Sequence, residues 1–332
     1  MKLSLIVRSF NDEGCIRRTL EMLRRQSREA ELIVFDSGST DGTLEIVRSF
    51  KPDRLVNGRA GDYLPGRVVN EAARIASGDV LVFNNSDCVP LDESWLEKLV
   101  RPLEESEGTV AAAFANQLPR PDAFALVRKD NERAFGDGSI AAKWKFFFSL
   151  ASSAIPRKLL LERPFNPEFR YSEDVEWAHR MVLEGRKLVY VPEARVEHSH
   201  NYTPAQLRTR FYNEGWADAA IFGGETGFFR NFLLPFLAET FRDFAYLARR
   251  GEAGTVAAGI RYRYLQRRSL YRGVTTPNVK RGYYADSEPV APDEFPGVGR
   301  YRNRGVQHGA RIVARRTRRP DFLHVRAGSH GG

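Results

Sequence analysis

Short apolar runs alternate with helix-like segments from the N-terminus onward, and this alternation is the strongest constraint on the fold. Strand-like runs occupy residues 3–7, 32–35 and 80–83. Three segments between these runs, at residues 16–26, 43–50 and 68–76, have the apolar spacing of helices. Repeated strand–helix order is typical of a mostly parallel sheet with helices on both faces. We therefore expect an α/β fold with a single doubly wound sheet.

The middle of the chain adds strands and a helix that begins with acids. Residues 110–114 and 187–191 have the pattern of buried strands. Between them we expect a polar loop rich in Asp, Asn and Arg, and then an apolar patch at residues 144–150. Ser172 is predicted to cap the helix that follows. Because acids in a first helical turn complement the helix dipole, Asp174 is predicted to be ionised.

Beyond residue 203 the sequence is helical and carries a stripe of large apolar side chains, interrupted by Pro235. The stripe consists of Phe229, Phe232, Leu233, Phe236, Leu237, Phe241 and Phe244. Such a stripe usually packs on a domain, and the alternative is binding to a membrane surface. From residue 275 onward Pro, Gly and Arg dominate without periodicity, which predicts a flexible tail. We therefore expect a sheet domain at 1–222, an amphipathic helical extension at 223–274 and a basic tail at 275–332.

The net charge of +9 is concentrated near the C-terminus. Residues 251–332 contain 16 Lys and Arg against 6 Asp and Glu, whereas the preceding residues contain 35 against 36. This excess favours attraction to phosphates, above all at an anionic membrane surface. Its contacts with a nucleic acid would not depend on the nucleotide sequence, so no specific nucleic acid is expected as a partner.

Two features bear on the cellular compartment. The N-terminal apolar run is too short for a signal-peptide core, and no stretch approaches the length of a membrane span. Cys15 and Cys88 are far apart and lack metal-ligand spacing. We therefore expect a cytoplasmic protein, bound peripherally to the cytoplasmic face of a membrane through its basic C-terminal region.

Polar clusters follow three of the predicted strands, at residues 9–13, 36–43 and 84–87. Carboxyl ends of parallel strands meet at one edge of the sheet, and ligands bind there. Asp36 at a strand end can accept a hydrogen bond from a base or a ribose hydroxyl, although its loop also has the composition of a capped turn. Neither a P-loop nor a GxGxxG motif is present.

A metal site is predicted at Asp87, which follows a buried strand. One carboxylate beside polar groups can hold Mg²⁺ or Mn²⁺ whose other ligands are diphosphate oxygens and water. The alternative is a turn-forming Asp ahead of Pro90. His198 is a second candidate ligand, because it points the same way as Val196, which we expect to be buried, whereas His200 lies further out.

In their order along the chain these motifs resemble the family 2 glycosyltransferases of GT-A fold, over about residues 2–222. The motifs are Ser9-Phe10-Asn11-Asp12, the loop from Asp36 to Thr43, Gly66-Arg67 with Asn70, Asn85-Ser86-Asp87, and Glu173-Asp174. Segments 153–157, 171–178, 190–194 and 198–202 are similar to a rhamnosyltransferase-like branch of that family.

The resemblance implies an inverting, metal-dependent transfer of a sugar from a nucleoside diphosphate sugar to a hydroxyl of a glycan or lipid-linked acceptor in cell-surface polysaccharide synthesis. Similarity to the rhamnosyltransferase-like branch implies that this sugar is rhamnose. Asp174 would be the base, and Glu173 its acceptor-side neighbour. Asp87 would bind the metal, with His198 near the metal and the diphosphate. The implied donor-binding residues are Phe10, Asn11, Asp36, Ser37, Arg67, Asn70, Asn85 and Ser86. Asn85 stands where the family usually has the first acid of its metal motif, so it can bind ribose but brings no charge.

Two other functions compete with this one. Nucleotidyl transfer is disfavoured because the loop after the first strand is acidic and poor in glycine, unlike a loop that cradles phosphates. The other is a membrane- or polyanion-binding adaptor that uses a degenerate nucleotide-sugar fold and the basic C-terminal region.

Overall fold

The computed structural model describes residues 1–59, 63–139, 146–223 and 225–276. Within these ranges the strands are β1 Leu3–Ser9, β2 Glu31–Asp36, β3 Arg54–Asn57, β4 Val80–Asn85, β5 Val89–Pro90, β6 Val110–Leu118, β7 Ser152–Pro156 and β8 Lys187–Glu197. The α-helices are α1 Ile16–Arg24, α2 Thr43–Ser49, α3 Pro65–Ile75, α4 Trp95–Glu105, α5 Ala125–Ala134, α6 Arg157–Glu162, α7 Glu173–Leu183, α8 Pro204–Phe222, α9 Leu234–Arg249 and α10 Val256–Val274.

These strands form one sheet in the order β3-β2-β1-β4-β7-β6-β8-β5. Strands β1 to β4 pair in parallel, and so do β6 and β8, whereas β7 and β5 run antiparallel to their neighbours. The predicted mostly parallel α/β sheet is therefore confirmed, with two reversed strands that the sequence pattern did not indicate.

Helices cover both faces of the sheet. One apolar core includes side chains of α1, α2 and α4, such as Leu20, Val47 and Trp95. The other includes side chains of α3, α6 and α7, such as Val69 and Trp177. Because both faces are buried, strands such as β2 and β4 contain continuous apolar runs, at residues 32–35 and 80–83, rather than an alternation of apolar and polar residues. The sheet is thus doubly wound, as predicted.

Helix α5 and strand β7 were missed by the sequence prediction. The segment predicted as a polar loop contains α5, a helix rich in good helix formers that buries Leu126 and Val127. Strand β7 was missed because it begins with the small polar residues Ser152 and Ser153, which are nevertheless fully buried.

Two predicted segments lie partly outside the described ranges. They are the flexible tail, of which residues 277–332 are not described, and the apolar patch, of which residues 144 and 145 are not described.

The C-terminal helices pack against the sheet domain through close backbone contacts. At Gly215 of α8, an added Cβ would lie 2.2 Å from the carbonyl oxygen of Leu270 in α10. At Gly273 of α10, an added Cβ would lie 2.1 Å from the carbonyl oxygen of Tyr212 in α8. Glycine at both positions therefore lets the two helix backbones approach more closely than any side chain would permit.

Helix α9 buries acidic side chains and exposes apolar ones, which is the reverse of an ordinary surface helix. Its buried side chains include Glu239 and Asp243, whereas Leu237, Phe241 and Phe244 are exposed, Phe241 by 74%. Most of the predicted apolar stripe is therefore not part of the core. Phe232 is the buried exception, with only 7% of its surface exposed.

Replacing Gly215 by Ala is expected to destabilise the protein by about 2 kcal/mol, because the added methyl forces α8 and α10 apart. The free energy of unfolding in urea measures the effect. Gly254→Ala is the matched control, since an added Cβ at that position has no neighbour within 4 Å. Equal stability of the two variants would contradict the close contact between α8 and α10.

Candidate active site

The carboxyl ends of β1, β2 and β4 bring the first polar clusters together. Ser9 of β1 lies beside Asp36 of β2, and Arg8 lies beside Asn85 of β4. The prediction that these clusters share one edge of the sheet is therefore confirmed. Phe10, directly after β1, has an exposed ring.

Asp36 is buried and organises its own loop. Its carboxylate accepts hydrogen bonds from the backbone N–H groups of Gly38 and Ser39, at 3.0 and 2.8 Å, and from the hydroxyls of Ser9 and Ser39, at 3.1 and 2.6 Å. Asn11 ties the loop after β1 to this one, because its Oδ1 accepts from the Thr40 N–H at 2.8 Å. Ser37 contributes a backbone N–H that donates to the carbonyl of Ser9. Both loops are thus held rigidly beside each other.

Asp87, His198 and His200 form a cluster whose potential ligand atoms all lie within 4.8 Å of one another. Strand β5 begins two residues after Asp87 and pairs antiparallel with the end of β8, which places Val89 opposite Glu197. This short pairing brings Asp87 to the histidines. The Nε2 atoms of His198 and His200 lie 3.5 and 3.3 Å from Asp87 Oδ2.

Gln117 sets the tautomer of His198. The Nε2 of Gln117 donates to the hydroxyl of Ser149 at 2.8 Å, which turns its Oε1 toward Nδ1 of His198, 2.7 Å away. Because an amide oxygen only accepts, His198 carries its proton on Nδ1. Its Nε2 then carries the lone pair and lies 3.0 Å from Nε2 of His200. A metal-ligating histidine likewise presents one nitrogen while a hydrogen bond holds the other.

The cluster has the donor set and protonation of a divalent-cation site. Although burial opposes ionisation, the neighbouring His198 and His200 hold the pKa of Asp87 at about 2. Burial, aided by His198, lowers the pKa of His200 to about 4, so its imidazole is neutral at pH 7. One carboxylate and two imidazoles suit Mn²⁺ better than Mg²⁺, which prefers oxygen ligands alone. Val196 is fully buried, as predicted, and His200 joins the cluster only partly buried, with 42% of its side chain exposed.

Glu173 and Asp174 begin α7 and line a cleft of about 750 Å³. Asp174 accepts hydrogen bonds from the backbone N–H groups of Leu150 and Val175, at 3.2 and 2.9 Å. Burial nevertheless raises the pKa of Asp174, and burial together with the charge of Asp174 raises that of Glu173 to about 8. Desolvation thus opposes the effect of the helix dipole, which was expected to favour the ionised form of Asp174.

Ser172 occupies the predicted N-cap position of α7 in a different way than expected. Its backbone is left-handed, with φ of 54°, and its side chain makes no capping hydrogen bond. The first-turn N–H groups are thus left to other acceptors, one of which is the carboxylate of Asp174 itself.

Arg8 connects Asn85 to the acidic pair. Its guanidinium donates from Nε and Nη2 to Asn85 Oδ1, at 3.1 and 2.6 Å, and its Nη1 lies 3.9 Å from Glu173 Oε1. Although burial opposes its charge, Tyr63, Glu173 and Asp174 raise the pKa of Arg8. The cation therefore faces the two carboxylates across the floor of the cleft.

The cleft brings together Asn85, Glu173, Asp174 and His198 from the predicted residues, and Asp87 contacts the cleft-lining histidines. The remaining predicted residues do not line this cleft in the described part of the chain. Besides Asp36, Asn11 and Ser37, two more of them have partners within the protein. Asn70 clamps the backbone of Phe165, donating to its carbonyl and accepting from its N–H, both at 2.8 Å. Ser86 donates its hydroxyl to Asp12. Arg67 is exposed on α3.

Three residues of the site were missed from the sequence. Arg8 and Gln117 lie inside largely apolar strands, and a charged or amide side chain there was a usable signal. The nearness of His200 to Asp87 had no comparable signal, because it depends on the pairing of β5 with β8.

Comparisons with known proteins agree with this geometry. The profile described as "Glycosyl transferase family 2" matches residues 4–157. The chain is 30% identical over 227 residues to the O-antigen chain rhamnosyltransferase RfbN of Salmonella typhimurium, covering 65% of this chain and 72% of that protein. It is 29% identical over 203 residues to the O-antigen chain rhamnosyltransferase WbaN of Salmonella anatum, covering 58% and 64%.

Among solved structures, the fold is similar to that of the mannosyltransferase PcManGT from Pyrobaculum calidifontis, in complex with GDP-Man and Mn²⁺. The TM-score is 0.55 at 20% identity, and the match covers 82% of this chain and 85% of that one.

Replacing Gln117 by Met is expected to weaken Mn²⁺ binding about tenfold, because His198 loses the acceptor that fixes its tautomer. Gln117→Glu is the matched control, since a carboxylate still accepts from Nδ1–H and should preserve affinity. Titration of Mn²⁺ followed by electron paramagnetic resonance measures both. Unchanged binding by the Met variant would refute the positioning role.

Proposed function

This chain belongs to glycosyltransferase family 2, and we propose that it transfers a sugar with inversion from a nucleoside diphosphate sugar to a hydroxyl of a glycan or lipid-linked acceptor. The proposal rests on a single cleft that is lined by Asp174 and by two histidines, His198 and His200. Both histidine rings contact the carboxylate of Asp87. A base and a cation site thus share a single cavity, as such a displacement requires.

Asp174 is the proposed base. In its ionised form it accepts the proton of the acceptor hydroxyl as the oxygen attacks the anomeric carbon. The bond from that carbon to the diphosphate oxygen breaks on the opposite side, and the nucleoside diphosphate departs with the bonding electrons. A single displacement inverts the configuration at the anomeric carbon. The backbone N–H groups of Leu150 and Val175 orient the carboxylate.

Asp87, His198 and His200 are the residues that would hold a divalent ion. Bound there, Mn²⁺ or Mg²⁺ would neutralise the charge that develops on the departing diphosphate. Gln117 keeps His198 in the tautomer that ligation needs.

Phe10 and Asn85 are the proposed donor contacts beyond the metal cluster. The exposed Phe10 ring at the end of β1 can stack on a nucleotide base, and Asn85 offers its amide N–H₂ toward ribose while its oxygen binds Arg8. Ser37 and Arg67 are proposed to complete the nucleotide side. Asp36, Asn11, Asn70 and Ser86 act as positioning residues that fix the loops, given their contacts within the protein.

The two rhamnosyltransferase relatives support a deoxyhexose donor such as a nucleoside diphosphate rhamnose, and a role in cell-surface polysaccharide synthesis. They also favour an enzyme over the alternative of a membrane- or polyanion-binding adaptor. A thermal-shift panel of UDP-, dTDP- and GDP-sugars with and without Mn²⁺ would identify the donor, because a ligand that binds only the native state stabilises it.

Asp174→Asn is expected to lower kcat at least about a hundredfold while donor affinity stays nearly unchanged, because the base is lost and the donor contacts remain. Glu173→Gln is the matched variant. Because the pKa of Glu173 is raised to about 8, this side chain is uncharged where Asp174 ionises, so the acid limb of the kcat/KM profile should stay at nearly the same pH. Turnover close to the wild-type value in Asp174→Asn would reject the base assignment.

The C-terminal helices support attachment to an anionic membrane. No helix in the described ranges is long and apolar enough to cross a bilayer. An exposed apolar face is formed by Phe228, Phe229, Leu234, Leu237, Phe241, Phe244, Ile260 and Tyr264. The exposed charges of residues 225–276 are six arginines and one glutamate, Glu225. Apolar side chains rimmed by arginine are typical of surfaces that lie in an anionic headgroup layer, and we propose the cytoplasmic leaflet as that surface.

The double substitution Phe241→Ser, Phe244→Ser is expected to reduce binding to vesicles of anionic phospholipid at least fivefold, because two exposed aromatic side chains that would be buried in the bilayer interface are lost. Cosedimentation measures it. Leu161→Ser, Leu183→Ser is the control, because both leucines are exposed on other helices of the protein. Equal loss in both variants would argue against a specific membrane face.

A further inference from the structure

A second part of the same cleft is lined by Asp130, Arg133, Glu239, Arg263 and Arg267. They belong to a largely buried network of ion pairs that joins α5 to α9 and α10. Within the described ranges this network contains more bases than acids. Its bases are Lys129, Arg133, Arg242, Arg263 and Arg267, and its acids are Asp130, Glu239 and Asp243. The network therefore carries two positive charges that its own carboxylates do not balance.

Glu239 shows where the imbalance is concentrated. Its buried carboxylate lies within 3.6 Å of four cationic groups, those of Lys129, Arg133, Arg242 and Arg267. Burial opposes ionisation of Glu239, yet Arg263, Arg267 and Arg242 hold its pKa at about 2. One negative charge cannot balance four positive charges, although Lys129 is also paired with Asp243.

Arg267 has the fewest partners of the network's bases. It is only 4% exposed, and it lines the cleft. Its sole ion pair among the described residues is to Glu239, at 3.4 Å, and its buried Nε has no hydrogen-bond partner. Burial of a guanidinium without hydrogen bonds is strongly unfavourable unless a ligand supplies the acceptors. Elsewhere the same cleft is lined by both signs of charge, Arg170, Arg210 and Arg230 together with Glu214 and Asp218.

We propose that this wall binds the phosphate or diphosphate of the acceptor substrate and that Arg267 is its main ligand. The inference rests on the proposed glycosyl transfer and specifies its acceptor class. A phosphate group matches the two-charge excess, and its oxygens fit the planar fork of a guanidinium better than a single carboxylate would. The phosphate can belong to a lipid carrier or to a soluble glycosyl phosphate.

The test is isothermal titration of the full-length protein with inorganic pyrophosphate and with farnesyl diphosphate, in EDTA so that metal-dependent donor binding is absent. Arg267→Gln should weaken binding of both probes at least tenfold. Arg268→Gln, on the exposed side of the same helix, should leave both affinities unchanged. Tighter binding of farnesyl diphosphate than of pyrophosphate assigns the phosphate to a lipid carrier, and equal binding assigns it to a soluble acceptor.

Thermal unfolding separates this role from a structural one. Because Arg267→Gln relieves repulsion among buried cations, its melting temperature without ligand should equal or exceed that of the wild type. A lower melting temperature, no binding by the wild type, or equal binding by wild type and Arg267→Gln would each overturn the proposal. Mn²⁺-dependent binding of nucleoside diphosphates is measured on the same proteins, and its persistence in any of these cases leaves the glycosyltransferase assignment intact.

Discussion

The buried guanidinium of Arg8 is the contact on which the catalytic end of the cleft depends. It lies at the end of β1, donates twice to Asn85 of β4 and faces Glu173 at the start of α7. Two adjacent buried carboxylates repel each other and resist ionisation, so a cation at their side is what permits either to carry charge. Because Asn85 is neutral, no acid at that position competes for Arg8, and its charge is directed toward Glu173 and Asp174. The departure of Asn85 from the family's usual acid is thus coupled to the electrostatics of the proposed base.

Charge also explains the unusual C-terminal helices. Glu239 and Asp243 of α9 are buried because Lys129, Arg133 and Arg263 surround them, and this leaves the aromatic side chains of the helix outside. The same arrangement yields two surfaces of opposite character. The inner one is cationic and faces the cleft, and the outer one is apolar and faces solvent. A substrate with a phosphate on a lipid would match both, since its headgroup and its chain require these two environments.

Much of the sheet could be predicted because its strands are continuous apolar runs separated by helical periodicity, as for β1, β2 and β4. Prediction failed where composition and burial disagree. Strand β7 is buried despite its serines. Helix α5 forms although its sequence is polar, because its charged side chains pair with residues more than a hundred positions away, as Lys129 does with Asp243. For α9, helical spacing of the aromatics was recognised correctly, but which face is buried depends on ion pairs with α5 and α10 that no local pattern contains.

The sequence by itself determined the fold class, the edge of the sheet where polar loops meet, and the identity of Asp87, His198, Glu173 and Asp174 as candidates, because strand ends and residue chemistry are local properties. Tertiary structure alone decided that His200 joins Asp87, that Gln117 orients His198, and that burial raises the pKa of Asp174 against the helix dipole. These outcomes depend on strand pairing and desolvation, which arise only when distant segments pack together.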